Sequence, residues 1–244
     1  MPAPIVDDQM RAYYHRRAAE YDDWWLGKGL FARRERPGWD AEVADLIELI
    51  RGLPSAGPER PRDVRRQANS QSPAGRRVLD IACGTGFLTQ HLQGDVVAID
   101  QSAAMVALAS ARMPHARVLR ADAVPLPFAD GEFDRVLTAH FYGHLLAGER
   151  IAFLAEARRV AGELIVVDSA RRPDVAAELW QERKLNDGTR HHVYKRFFGV
   201  RELADELGVL RTLTGTDAPS SPGGEHPGAG RILHDGDWFV AVAA

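Results

Sequence analysis

Val78-Leu79-Asp80-Ile81-Ala82-Cys83-Gly84-Thr85-Gly86-Phe87-Leu88-Thr89 is the stretch on which the reading of this chain turns. Its short apolar run, Val78, Leu79 and Ile81, has strand character. The run stops at a turn of small residues, Ala82 to Gly86, and a helical pattern begins at Phe87. Strand, glycine-rich turn and helix in that order let a ligand approach bare backbone at the open N–H groups of a helix start. A tight turn that merely needs glycine reads the same way, so the residues that follow must decide.

A second strand, Asp95 to Ile99, ends in Asp100. Gln101-Ser102 and a helix over Ala103 to Arg112 come next, with Ser102 as its cap. A carboxylate at the carboxyl end of the second strand of a βαβ unit suits ribose hydroxyls, because it accepts two hydrogen bonds at once. A third strand, Ala116 to Arg120, ends at Ala121-Asp122-Ala123. Each acid alone is ordinarily a solvated loop residue or a cap; the pair, at the mouths of successive strands beside a glycine turn, points to a ligand. The fourth strand, Phe133 to Ala139, leads into His140-Phe141-Tyr142-Gly143-His144. A helix at about 148–160 and a fifth strand, Glu163 to Val167, complete an alternation running from Arg77 to about Asp168. Strand–helix alternation of this kind predicts a doubly wound α/β fold with a parallel sheet and right-handed crossovers.

Four stretches carry a resemblance to the class I S-adenosylmethionine-dependent methyltransferases, and within them to the small-molecule branch that includes the quinone-biosynthesis C-methyltransferases. They are LDIACGTGF (79–87), AIDQSAAM (98–105), ADAVPLPFADGEFDRV (121–136) and YHRRAAEYD (14–22). The resemblance implies a mostly parallel seven-stranded sheet with an antiparallel last strand. It implies S-adenosylmethionine as cofactor, with Asp80, Ala82, Cys83, Gly84 and Gly86 carried over as cofactor-binding and the turn facing the methionine part. Asp100 would hold the ribose, Gln101 and Met105 would border the adenine, and Asp122 with the Ala123 N–H would read the adenine edge. Tyr14 and Tyr21 would cap the pocket, Arg17 would lie near the methionine carboxylate, and the His140 backbone would meet the cofactor's amino group. Ala82 stands where the family more often has glycine, a change that is cheap unless the residue needs positive φ. The competing dinucleotide pattern needs a third glycine where Thr89 stands, and an acid about 20 residues past the turn, farther than Asp100. A nicotinamide-dependent oxidoreductase is therefore the weaker reading, and a non-catalytic cofactor-binding protein of the same fold is the alternative outside enzymes.

The remainder of the chain is organised around that core. Residues 7–21 pattern as an amphipathic helix, followed by Trp24-Trp25, and residues 39–51 as a second. Residues 1–54 are expected to form an N-terminal helical lid, 55–75 a flexible loop, and 76–244 the methyltransferase domain with a second flexible loop at 215–229. Helices are expected at 174–185 and 199–207. Arg231 to Ala244 reads as a hairpin turning at Asp235-Gly236.

Chemistry beyond the cofactor rests on histidine. The segment after the fourth strand lies at the sheet edge where ligands bind, and imidazole titrates in a useful range, so His140 and His144 are the catalytic candidates as general base. Tyr142, His191, His192 and Tyr194 follow. His191 and His192 would point apart on a strand, and no metal is expected. The single cysteine, Cys83, sits in the glycine turn and reads as a small turn residue rather than a nucleophile. A net charge of −3 with interspersed signs argues against nucleic acid and anionic membranes as partners. With no long apolar span and no signal-peptide pattern, the expected setting is cytoplasmic and the expected partner a small-molecule substrate.

Overall fold

The computed structural model describes residues 8–54, 76–213 and 230–244. The loops expected at 55–75 and 215–229 lie outside these residues. Three helices lead in: α1 (Asp8–Arg17), the short α2 (Asp23–Leu26) and α3 (Trp39–Arg51). The alternating core follows as β1 (Arg77–Ile81), β2 (Asp95–Asp100), α4 (Ala103–Arg112), β3 (Arg117–Arg120), β4 (Phe133–Ala139), α5 (Ala147–Val160) and β5 (Ala161–Ser169). A two-stranded ribbon, β6 (Glu178–Lys184) and β7 (Arg190–Arg196), is inserted before α6 (Val200–Leu213) and the closing pair β8 (Arg231–Asp235) and β9 (Phe239–Ala243).

The seven-stranded sheet has the order β3-β2-β1-β4-β5-β9-β8, parallel except for β9, which runs antiparallel to both neighbours. Registers such as Ile81↔Ile99 and Ile81↔Thr138 bring the carboxyl ends of β1, β2 and β4 level. Because successive strand residues face opposite sides, Leu79, Ile81, Val97 and Val136 enter one apolar layer under α5 and α6. Val78, Val96, Leu137 and Ile165 enter the other, under α3. The N-terminal helices belong to this core: Met10 and Tyr13 are buried in the first layer, Trp25, Trp39 and Leu46 in the second. Among the described residues no helix is long and apolar enough to cross a membrane.

Two expected helices are replaced. After Phe87 there is only a single 3₁₀ turn, Thr89–His91. The eight residues 87–94 must carry the chain back along the five-residue strand β1. That return spans about 16 Å, whereas eight α-helical residues rise only about 12 Å, so the connection extends from Leu92 onward. The helix expected at 174–185 is instead β6, whose residues pair with β7 from Glu178↔Arg196 to Lys184↔Arg190. Leu, Gln, Glu, Arg and Lys favour helix locally. Pairing across the Asn186-Asp187-Gly188 turn, with Trp180 packed 5.8 Å from Tyr194 between ring centres, overrides that preference.

Candidate active site at the carboxyl edge of the sheet

The glycine turn is tied down from both sides. The Gly84 N–H donates to Asp100 Oδ2 at 3.0 Å and the Ser102 N–H to Asp100 Oδ1 at 2.8 Å. One carboxylate thus anchors the turn after β1 to the start of α4. Burial pushes the Asp100 carboxyl up to about 6, against the two backbone donors, which favour its charged form. Ala82 has φ +60. The condition under which alanine is cheap at this position is therefore not met, and the left-handed backbone costs about 1–2 kcal/mol relative to glycine's freedom. Gly84 presents its Cα face to Tyr21, where a Cβ would stand 3.5 Å from the ring. A larger side chain there would fill the space a ligand needs.

A narrow cleft of about 60 Å³ lies over this turn. Of the residues carried over from the resemblance, Tyr14, Tyr21, Ala82, Gly84, Asp100, Gln101, Met105, Asp122, Ala123 and His140 line it, as does the catalytic candidate His144. Four do not. Gly86 packs against Met113, whose Cε would lie 2.7 Å from an added Cβ. Cys83 packs in the small cluster under α4, and burial pushes its thiol well up, so it is no nucleophile. Asp80 is buried beneath the turn, where Thr89 Oγ1 donates to Oδ2 at 2.5 Å and Oδ1 has no partner. Burial raises its carboxyl to about 7. Arg17 opens onto a different cavity, with its guanidinium 5.1 Å from the Tyr21 ring centre.

The N-terminal segment crosses the mouth of the cleft. Arg11 of α1 reaches Asp122 at 3.2 Å. Asp22 accepts from Thr85 Oγ1 at 2.5 Å and from Arg112 at 2.5 Å, which latches the α1–α2 connection to the glycine turn.

The two catalytic candidates occupy different settings. His140, at φ +56, is packed among Trp24, Trp25 and Phe239. Its Nε2 is buried without a partner, and burial holds the imidazole down at about 3. His144 is fully engaged: Nδ1 lies 2.6 Å from the Tyr194 carbonyl oxygen and Nε2 lies 2.7 Å from the Tyr14 hydroxyl. A carbonyl only accepts, so Nδ1 carries the proton and Nε2 accepts from Tyr14. Burial keeps this ring neutral as well. Tyr14 in turn receives Arg183 Nη1 at 3.2 Å. His144 therefore acts on anything in the site only through Tyr14. The lesser candidates are elsewhere: the Tyr142 hydroxyl donates to Glu206, the Tyr194 hydroxyl to Glu178, and His191 packs against Tyr13.

Tyr14, Tyr21, His140 and His144 also border a second chamber, about 1020 Å³, walled by the α1–α3 segment and the β6–β7 ribbon. Beside it lies the buried pair Asp168–Lys195, with further donors to Asp168 from the Gly143 and Ser169 backbones. The lysine holds the Asp168 carboxyl below its usual range despite burial. Asp168 stands one residue before the end of β5, much as Asp100 ends β2, a signal present in the sequence. Lys195 and Arg183 carried none, since their place depends on the ribbon. Among the described residues no group of three or more metal-ligating side chains forms.

A methyltransferase domain family matches residues 78–163, which span β1 to the start of β5. That segment of the chain is similar to a methyltransferase domain. Demethylmenaquinone methyltransferase of Beutenbergia cavernae is 39% identical over 139 residues, covering 54% of this chain and 57% of that protein. The Thermus thermophilus protein of the same name is 34% identical over 140 residues, covering 52% and 63%. The chain thus matches little more than half the length of these curated relatives. Among solved structures, the DhpI-SAM-HEP complex superimposes over 100% of both chains with a TM-score of 0.67 at 22% identity, a similarity of fold. The methyltransferase domain match ends before the ribbon, so the cleft lies largely within the matched segment while most of the second chamber lies outside it.

Proposed function

We propose that this protein binds S-adenosylmethionine in the narrow cleft and transfers its methyl group to a small-molecule acceptor in the adjoining chamber. The observation that carries the reading is the shared wall: Tyr14, Tyr21, His140 and His144 border both spaces, so ligands in the two would meet there. The donor set suits the cofactor. Asp100 keeps a free lone pair on each oxygen for ribose hydroxyls after accepting its two backbone bonds. Asp122 and the Ala123 backbone stand at the far end for an adenine edge, Gln101 and Met105 border it, and the Gly84 backbone is bare toward the methionine part. When bound, the cofactor supplies an electrophilic methyl group, which leaves alignment and exclusion of water to the protein.

The chain's own residues divide that work. The aromatic side chains of Tyr14 and Tyr21 close the cleft and keep water from the seam. For an acceptor that must lose a proton, Tyr14 Oη takes it while passing its own proton to His144 Nε2, and the Tyr194 carbonyl holds the imidazole in the required tautomer. His140 orders the wall. In this reading residues 1–54 are the helical lid, of which α1 and its connection to α2 cross the mouth of the cleft while α3 stays packed on the sheet, and 76–244 are the methyltransferase domain. The interspersed charge supports a role without nucleic acid, and the single free cysteine, which can form no internal disulfide, supports a reducing, cytoplasmic setting.

Two measurements test this. Incubation with methyl-labelled S-adenosylmethionine and a panel of acceptors must move label; complete failure with the cofactor bound would leave only a binding protein. Hydrogen exchange of residues 8–17 must slow on cofactor binding. Unchanged protection there would make α1 scaffold rather than lid.

A further inference from the structure

The second chamber is electrostatically one-sided. Seven arginine and lysine side chains line it, against two glutamates. Lys195 is paired with Asp168 and Arg172 with Asp174, while Glu182 is taken by Arg190. Among the described residues no carboxylate lies within ion-pair distance of Arg17, Arg34, Arg36, Arg183 or Lys184, so five cations face one remaining acid, Glu35.

Two of these five are set into the wall rather than the rim. Arg17 is 6% exposed and rests against the rings of Tyr13, Tyr21 and Phe31. Arg183, on the ribbon, donates to the neutral oxygens of Tyr14 at 3.2 Å and Gln181 at 3.0 Å and also engages the Tyr13 hydroxyl. Both guanidinium carbons lie within 6 Å of the Tyr13 ring centre, so they converge on one part of the chamber. A guanidinium withdrawn from water without a carboxylate is costly to maintain. Arg17 is such a group, Arg183 stands half-buried beside it, and the two are completed by an anion supplied from outside. Aromatic side chains, Trp24, Trp39, Phe197 and Trp238, stand along the same walls.

We infer that the methyl acceptor is an organic anion, an aromatic or apolar body bearing a carboxylate or phosphoryl group that Arg183 and Arg17 clamp beside Tyr14. The inference rests on the methyl-transfer reading for the word acceptor. The anion site itself rests only on the chamber. Arg183 is the decisive contact, because its hydrogen bond to Tyr14 fixes the anion next to the seam, and a planar guanidinium binds either oxyanion in bidentate fashion.

The test is calorimetric titration of the full chain with 2-naphthoate, 2-naphthyl phosphate and the neutral 2-naphthamide, with and without S-adenosylhomocysteine. At least one acid should bind at least tenfold more tightly than the amide, and the preferred acid identifies the oxyanion. Arg183→Gln should weaken that acid about ten- to a hundredfold and leave the amide unchanged, while Arg183→Lys should fall between. Equal binding of acid and amide, no binding of either acid at millimolar concentration, or an unaltered acid affinity in Arg183→Gln overturns the inference. Thermal unfolding followed by circular dichroism, measured on the same variants, reports that the fold is intact. A wild type that binds the acid but not S-adenosylhomocysteine would overturn the cofactor reading and leave the anion site standing.

Discussion

The narrow cleft and the broad chamber recognise by different means. The cleft is built from main chain and carboxylates: the turn at Ala82 to Gly84, Asp100 tied by two backbone N–H groups, and Asp122 at the open end. The chamber is built from long side chains, cationic or aromatic, carried on α1–α3 and on the ribbon. Backbone geometry tolerates little sequence change, and it suits a ligand that stays the same. Walls of arginine and tryptophan can be exchanged one at a time without touching the sheet, which suits a ligand that differs between relatives.

Disabling the seam should have the largest effect. Tyr14→Phe or His144→Ala should lower turnover about 10²- to 10⁴-fold for acceptors that lose a proton, with cofactor affinity nearly unchanged. Steady-state kinetics read this directly, and a purely proportional rise in KM would return both residues to packing. Asp80 probes the ground beneath the cleft. Its carboxyl ionises near 7 when folded and near 4 when unfolded, so the native state binds the extra proton and stability falls as pH rises between about 4 and 7. Asp80→Asn should remove that loss, a gain on the order of 2–4 kcal/mol at pH 8 and little at pH 4. Urea unfolding at both values would show it, and an equal change at both would break the argument. Asp100→Ala should weaken S-adenosylmethionine about ten- to a hundredfold by calorimetry, since one charge-assisted contact contributes about 1.5–3 kcal/mol, while acid binding in the chamber stays intact. Parallel losses in both would mean that the two spaces are not separate. The smallest effect belongs to Ala82→Gly. Relief of left-handed strain, less glycine's own entropic cost, should raise stability by about 0.5–1 kcal/mol and Tm by a few degrees at most.

The same division governs what the sequence discloses. β1, β2, α4, β4 and most of the cleft are local objects: an apolar run, a glycine turn, an acid at a strand end, a capping serine. Each is written in a few adjacent letters. Ala82 shows the limit, because its letter does not reveal a φ of +60, which the turn geometry imposes. The missing helix after Phe87 is a matter of distance across the sheet. The chamber is harder still. Glu178 to Lys184 becomes a strand only because Arg190 to Arg196 lies opposite, and Arg183 meets Tyr14 from 169 positions away. His144 could be read as a candidate, yet its tautomer depends on the carbonyl of Tyr194, fifty residues on.

Tyr14 belongs to both walls, and that has a thermodynamic consequence. A side chain whose position is set by one ligand presents a changed surface to the other, so the two binding free energies cannot be independent. Whatever factor the cofactor imposes on acceptor affinity, the acceptor must impose on cofactor affinity, in the same direction and to the same extent. In this protein that reciprocity passes through one phenol ring and the hydrogen bonds to His144 and Arg183 that hold it.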